Sequence, residues 1–264
     1  MEQFLLNNIP AVLLGSMCVA FTAGTGVAGL LVVRRRVPAT TLASQNEVAG
    51  VLIAIVGGLY GVLLAFVVAI AWQKFEDASA LADQEAVLVL SMYRDALFFP
   101  AHTADLRNEI EAYARSVVDH EWEAMSTPAR EAKETDAAML AFVREVASID
   151  PANDRESAFL GQYAARLDDL EDSRRSRLFA AETQLPGTLW FVLLFGGLIT
   201  TMFTYFFGLP SPRAHMAMVA AIAATIGITL FLILSLDLPF TGDVAVEPSS
   251  MERAVREFAD LRAG

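Results

Sequence analysis

The sequence predicts an all-α polytopic membrane protein: four transmembrane helices, with an α-helical bundle domain inserted between helices two and three. Three observations carry this. Four long apolar blocks contain no Asp, Glu, Lys or Arg. Almost the whole net charge of −12 lies between the second and third block. Everywhere else the apolar residues recur at helical spacing, with no strand-like alternation. The composition agrees: 55% hydrophobic and 19% charged, against about 45–50% and about 25% for soluble domains.

The first region, 1–72, holds spans one and two, over about 9–33 and about 48–71. About 20 helical residues cross a hydrocarbon core of about 30 Å, so both are long enough. The stretch Met1–Asn8 has no Lys or Arg, whereas Arg34, Arg35 and Arg36 follow the first block. That is the charge order of an uncleaved anchor, not of a signal peptide. Spans three and four, about 187–208 and about 214–236, form the region 186–236. Small residues repeat every fourth position: Ala20, Gly24 and Ala28 in span one; Gly57, Gly61, Ala65 and Ala69 in span two. Gly196, Thr200, Thr204 and Gly208 do so in span three, and Ala217, Ala221 and Thr225 in span four. Such rows let helices approach closely, either within one chain or, for span two, against neighbouring subunits around a pore. Leu63, Phe66 and Val67 lie off the span-two row and are candidates for an apolar constriction. Trp72 and Trp190 end span two and begin span three, as membrane-interface anchors do.

The region 73–185 carries 12 basic and 23 acidic residues. A domain this acidic repels phosphate backbones and excludes nucleic-acid binding. Span two is expected to continue to about Phe99, with Asp83, Glu85, Arg94 and Asp95 as a water-facing stripe and Leu81, Leu88 and Tyr93 as an apolar one. Glu85 is then a candidate for the mouth of the domain. Leu106, Ile110, Tyr113 and Val117 mark one face of a second helix beginning near Thr103. A third is expected from Thr127 as cap and Pro128 at its first position, with Met139, Phe142, Val146 and Ile149 inward. Asn153 and Glu156 form a capping-box pattern opening a long helix toward Leu185-Pro186. The region 237–264 reads as a polar tail with a short helix from Ser249 or Ser250 to about Leu261.

No catalytic constellation stands out, so the chain does not read as an enzyme. Gly24-Thr25-Gly26-Val27-Ala28-Gly29 matches a dinucleotide fingerprint but lies inside an uncharged span, without the preceding strand such a site needs. His102, His120 and His215 are far apart, and His120-Glu121 lacks a second His at i+4. Asp168, Asp169, Glu171 and Asp172 lack the turn glycine of a calcium loop. No cofactor or metal is expected. Cys18 is the single cysteine. The absence of ionisable groups in the spans disfavours a proton-coupled transporter. It suits a passive pore with a hydrophobic constriction, or a scaffold.

Span two carries Gly57-Gly58-Leu59-Tyr60-Gly61 and Phe66. Further on stand Trp72, Phe75, Glu85-Ala86, Tyr113, Glu121-Trp122, Arg174, Arg177, Leu185-Pro186 and Leu189-Trp190, then the exit motif Leu236 to Gly242 with Asp237, Pro239, Phe240 and Gly242. Over roughly 45–245 the sequence resembles the bestrophin-like family of bacterial membrane proteins, distantly similar to bestrophin anion channels. It departs from the family pattern at Leu238, where a polar or basic residue is usual. The resemblance implies a homo-oligomer in the bacterial inner membrane, a pentamer if it follows bestrophins, with span two lining the pore and an inorganic ion as cargo. It also implies a cytoplasmic domain and an anion preference. The residues argue otherwise on both points. The cluster Arg34–Arg36 beside the first span and Arg213 between spans three and four place those loops inside. Lys74, Arg174, Arg175 and Arg177 balance them in number, but the first span usually dominates. The helical domain is then extracytoplasmic, and its acidity favours cations. The alternative function is a non-conducting scaffold or sensor that binds a partner through the helical domain, with membrane lipid as the remaining contact.

Overall fold

A computed structural model describes residues 2–44, 46–127 and 132–263. Among them there is no strand. A short helix α1 (Glu2–Asn8) precedes α2 (Ala11–Arg36), the first span. After α3 (Ala39–Ala43) comes α4 (Asn46–Asp95), one continuous helix of 50 residues. At 1.5 Å per residue it is about 75 Å long, far more than a membrane needs. It therefore serves as span two and as the first helix of the domain, as expected. The domain continues with α5 (Thr103–Ser116), a π turn over Val117–Glu121, α6 (Trp122–Met125) and α7 (Lys133–Ala147). Then α8 (Asp154–Glu182) returns to the membrane, opened by Asn153, whose side chain accepts from the Glu156 N–H at 3.0 Å. Spans three and four are α9 (Gly187–Phe203) and α10 (Pro212–Asp237). The chain closes with α11 (Ser249–Ala263).

Two sequence expectations need correction. The third domain helix starts at Lys133 rather than at Thr127, and Pro128 lies outside the described residues. The helix expected in a polar tail is amphipathic. Met251, Ala254 and Phe258 are buried, and the Phe258 ring stacks on Tyr93 at 4.1 Å. Thus α11 joins the domain core with Val89, Met92, Leu106, Ile110, Tyr113, Phe142 and Tyr163.

The membrane half is held by small residues, but only some rows do the packing. A methyl group added to Gly26 would stand 3.1 Å from the Ala223 Cβ and 3.5 Å from Val219. Gly227 is closed over by Thr22, and Gly15 by the Phe231 ring. These contacts make α2 and α10 a close pair. The rows Ala20-Gly24-Ala28 and Ala217-Ala221-Thr225 point outward instead. Val219, Ala223 and Gly227 share the four-residue spacing and take their place. Spacing alone cannot tell which face of an uncharged span is inward, because every face is apolar. In span three the expected row does turn inward. Beside it, Gly196 and Gly197 form a notch for Tyr60 of α4, whose hydroxyl donates to the Leu193 carbonyl at 2.8 Å. A Cβ on Gly197 would lie 2.9 Å from that hydroxyl oxygen and 3.0 Å from Ile226.

Gly197→Leu is therefore expected to destabilise the protomer by about 1–3 kcal/mol through overpacking. Gly24→Leu, with open space at its Cβ, is expected to stay within about 0.5 kcal/mol. Thermal unfolding of the two purified variants in one detergent checks the contrast.

Candidate functional site

Two features of α4 define the region of interest, and they lie on opposite faces. On one face Tyr60, Val67, Ala71, Ala78, Ala82, Glu85, Ala86, Val89 and Met92 are buried in one stripe from membrane to domain. On the other, Ile55, Leu59, Val62, Phe66, Ile70, Gln73, Asp77, Gln84 and Val87 are exposed. Steps of three and four residues keep both stripes straight along the helix. The predicted span-two residues divide between them. Gly61, Ala65, Phe66 and Ala69 lie on the open side, and Gly57 is half-buried with Thr200 3.8 Å from an added Cβ. Phe66 is 66% exposed, whereas Val67 is 2% exposed. Val67 packs with Leu185, Leu193 and Ile233, and Leu63 packs against the same cluster. Of the three residues expected at a constriction, only Phe66 lies on the open side; Leu63 and Val67 sit about 60–100° around the helix from it, on the side facing α9 and α10.

Glu85 corrects a second expectation. It does not face water but is fully buried, as are Glu121 and Arg177. Ala82 and Val89, three and four residues away, and Ala78, seven away, lie in the packed stripe, so the helix carries Glu85 inward with them. Arg177 of α8 meets it with Nε donating to Oε2 at 2.6 Å and Nη2 to Oε1 at 3.1 Å. The Tyr113 hydroxyl donates to Glu85 Oε1 at 2.6 Å. Arg177 Nη2 also donates to Glu121 Oε2 at 2.6 Å, and Nη1 lies 3.0 Å from the Met125 sulfur. Arg174, one helical turn earlier, donates from Nε and Nη2 to Glu121 and reaches Asp136 Oδ1 at 2.6 Å. The Trp122 ring covers the Arg177 guanidinium at 5.1 Å. Two fully buried carboxylates and two guanidiniums therefore neutralise each other across α4, α5, the π turn and α8, with Asp136 of α7 on the exposed side of Arg174.

The π turn has a geometric reason. Tyr113, Val117, Glu121 and Met125 all face inward at spacings of four. In an α-helix three such steps drift by about 120°. A wider turn absorbs that drift and keeps Glu121 on the same face as Tyr113. Burial and the charge of Glu85 push the Tyr113 hydroxyl well above its ordinary value, so it stays a neutral donor. Burial opposes the charge on Arg177, but Glu85 and Glu121 hold it above the ordinary guanidinium value.

The exit motif closes the site from the membrane side. Asp237 is buried, pairs with Lys74 at 2.6 Å and accepts from the Leu185 N–H at 2.8 Å. It thereby fixes the α8–α9 junction beside α4. Leu238, Pro239 and Phe240 are buried too. The Phe240 ring meets Trp122 edge-on at 5.7 Å, and the Trp122 Nε1 donates to the Val246 carbonyl at 2.9 Å. Gly242 has φ +82°, which only glycine adopts freely, and its N–H donates to the Asn7 side chain. At the apolar Leu238 no charge interaction is available; its side chain packs with Leu6 and Leu14. Trp72 is exposed and Trp190 half-buried at the same level. The acidic run Asp168, Asp169 and Asp172 is exposed on α8, and His120 is exposed. His215, expected at an edge, is buried and engaged by Arg34. Sequence patterns alone do not reveal the ion network: a charge on α4 marks a water-facing stripe by pattern, and nothing in spacing links Glu85 to Arg177, 92 positions away. The residues that carry the family resemblance include all its central members, Glu85, Tyr113, Glu121, Arg174 and Arg177.

Arg177→Met should leave the buried Glu85 without a cation and Glu121 with Arg174 alone, and cost about 3–5 kcal/mol. Arg174→Gln, at the more exposed end, should cost less. Unfolding midpoints in detergent, followed by circular dichroism, test this ordering.

The comparisons with known proteins fit this architecture. The family model for the bestrophin-like domain matches residues 20–251. Among curated proteins none matches. Solved structures do. A bacterial bestrophin homologue from Klebsiella pneumoniae is similar with a TM-score of 0.67 at 16% identity, over 93% of this chain and 98% of that one. A mutant of a Klebsiella pneumoniae bestrophin homologue gives 0.67 at 16% identity, over 92% and 99%. Another gives 0.66 at 15% identity, over 93% and 97%. The solved structures share the fold, and with the family model matching residues 20–251, this chain belongs to the bestrophin-like family.

Proposed function

We propose that the chain assembles in the bacterial plasma membrane as a homo-oligomeric ion-conducting pore, pentameric as the bestrophin resemblance implies, with the open face of α4 turned to the axis. The observation that carries this is the unpacked stripe of α4. It runs from the membrane into the domain on one rigid helix, and a Cβ at Gly58 or Gly61 would meet nothing within 4 Å. Small residues there leave room for a lumen, and Phe66 supplies the one bulky apolar group among the expected constriction residues. Such a ring gates by dewetting rather than by a charged filter. With Glu85 on the opposite face, the acidic group in line with the open stripe is Asp77, with Glu76 beside it, both exposed. They favour cations at the mouth. An enzyme is disfavoured because the buried carboxylates Glu85 and Glu121 are engaged by guanidiniums.

Charge supports an extracytoplasmic domain. Lys74, Arg174, Arg175 and Arg177 on the domain side all have carboxylate partners. Arg35, Arg36 and Arg213 on the loop side have none among the described residues and remain free to obey the positive-inside bias.

Purified protein in planar bilayers is expected to conduct, and Phe66→Ala to raise conductance or leak several-fold. Glu76→Gln with Asp77→Asn should reduce cation preference, read as a reversal-potential shift in a salt gradient. Silence of both the wild type and Phe66→Ala would favour the scaffold reading. For sidedness, a cysteine at the exposed Glu134 in a Cys18→Ala background should react with an impermeant thiol reagent in intact cells. Labelling only after lysis would place the domain in the cytoplasm.

A further inference from the structure

At the membrane end far from the domain, the charge balance is reversed. Arg34, Arg35 and Arg36 close α2, and Arg213 opens α10. The nearest carboxylate in sequence to Arg34, Arg35 and Arg36 is Glu47, in the first turn of α4. Elsewhere most arginines are paired with acids, yet among the described residues none of these four has a carboxylate partner. In a chain of net charge −12, that segregation leaves one end with unneutralised guanidiniums at headgroup depth.

Arg34 is not a loose surface charge. Its Nη1 donates to His215 Nδ1 at 3.1 Å, and Nη1 and Nη2 approach the Leu209 carbonyl at 3.4 Å. A guanidinium can only donate, so His215 Nδ1 accepts and carries no proton. Its Nε2 therefore holds the hydrogen and donates to the Thr204 carbonyl at 2.9 Å. His215 is thus a buried, neutral prop that fixes Arg34 against the α9–α10 loop. The loop is held from a second side by Asn46, whose Oδ1 accepts from the Gly208 N–H at 2.8 Å. Arg34 keeps Nε–H and one Nη2–H unassigned, and these two form the parallel fork that suits a phosphate. The contact between Arg34 and His215 also brings the start of α10, with Arg213, beside the end of α2, with Arg35 and Arg36.

We propose that this end binds the phosphodiester headgroup of an anionic phospholipid, with Arg34 as the fixed fork and Arg35, Arg36 and Arg213 as its rim. The apolar flanks of α2 and α10 place the acyl chains, so the ligand is a lipid rather than a soluble phosphate. The inference is independent of whether the pore conducts.

Native mass spectrometry of the purified full-length protein tests it, by titration with dioleoylphosphatidylglycerol or dioleoylphosphatidylcholine. The wild type should retain the anionic lipid preferentially. The variant R35Q/R36Q/R213Q leaves the Arg34–His215 clamp intact. It should lose about fivefold in that preference per guanidinium, on the order of 100-fold in all. Arg144→Gln on the exposed domain surface should change nothing. Equal retention of both lipids by the wild type, or full retention by the triple variant, would sink the proposal. So would displacement of bound lipid by inorganic phosphate at equal concentration, which would assign the site to a soluble anion.

Discussion

Burying Glu85 is the constraint around which the domain is arranged. An ionised carboxylate removed from water costs several kcal/mol unless a cation and further donors meet it. Arg177 and Tyr113 meet it from α8 and α5, and Arg177 then needs Glu121, which in turn takes Arg174. The partners come from four elements, so the charges can balance only when α4, α5, the π turn and α8 are all in place. A hydrophobic cluster tolerates sliding of one helix over another. Directional bonds to fixed nitrogen and oxygen atoms do not. The network thus sets the register of the bundle, while the aromatic and aliphatic core around Tyr93, Phe142 and Phe258 supplies most of the burial.

The membrane half solves its packing problem differently. Lipid is as apolar as the helix surfaces, so close approach and a few hydroxyl contacts hold the helices together. Tyr60 in the Gly196-Gly197 notch and Thr22 over Gly227 are examples. Asp237 and Lys74 join the two regimes at the boundary, where one partly buried ion pair also ties down the backbone at Leu185.

The number and order of helices were legible because their signals are long and redundant: four uncharged runs, Pro-Gly breaks, and apolar residues at steps of three and four. The α5 face of Leu106, Ile110, Tyr113 and Val117 was read correctly because polar residues mark its opposite side. Where that contrast vanished, orientation was lost. In the spans Ala20-Gly24-Ala28 looks as packable as the set around Gly26. On α4 Glu85 was sorted with Asp83 and Asp95 because a charge normally marks water, and the Arg177 that reverses this lies 92 positions away. The π turn was invisible for a related reason, since it adds no residue type of its own.

The continuity of α4 has a mechanical consequence. No proline interrupts it between Asn46 and Asp95, so the membrane surface offers no hinge of the usual kind. A helix about 75 Å long acts as a lever: a tilt of one degree about one end carries the other by about 1.3 Å. Glu85 and Phe66 ride on the same uninterrupted helix, so a tilt of α4 that shifts the ion network also displaces the open face at Phe66.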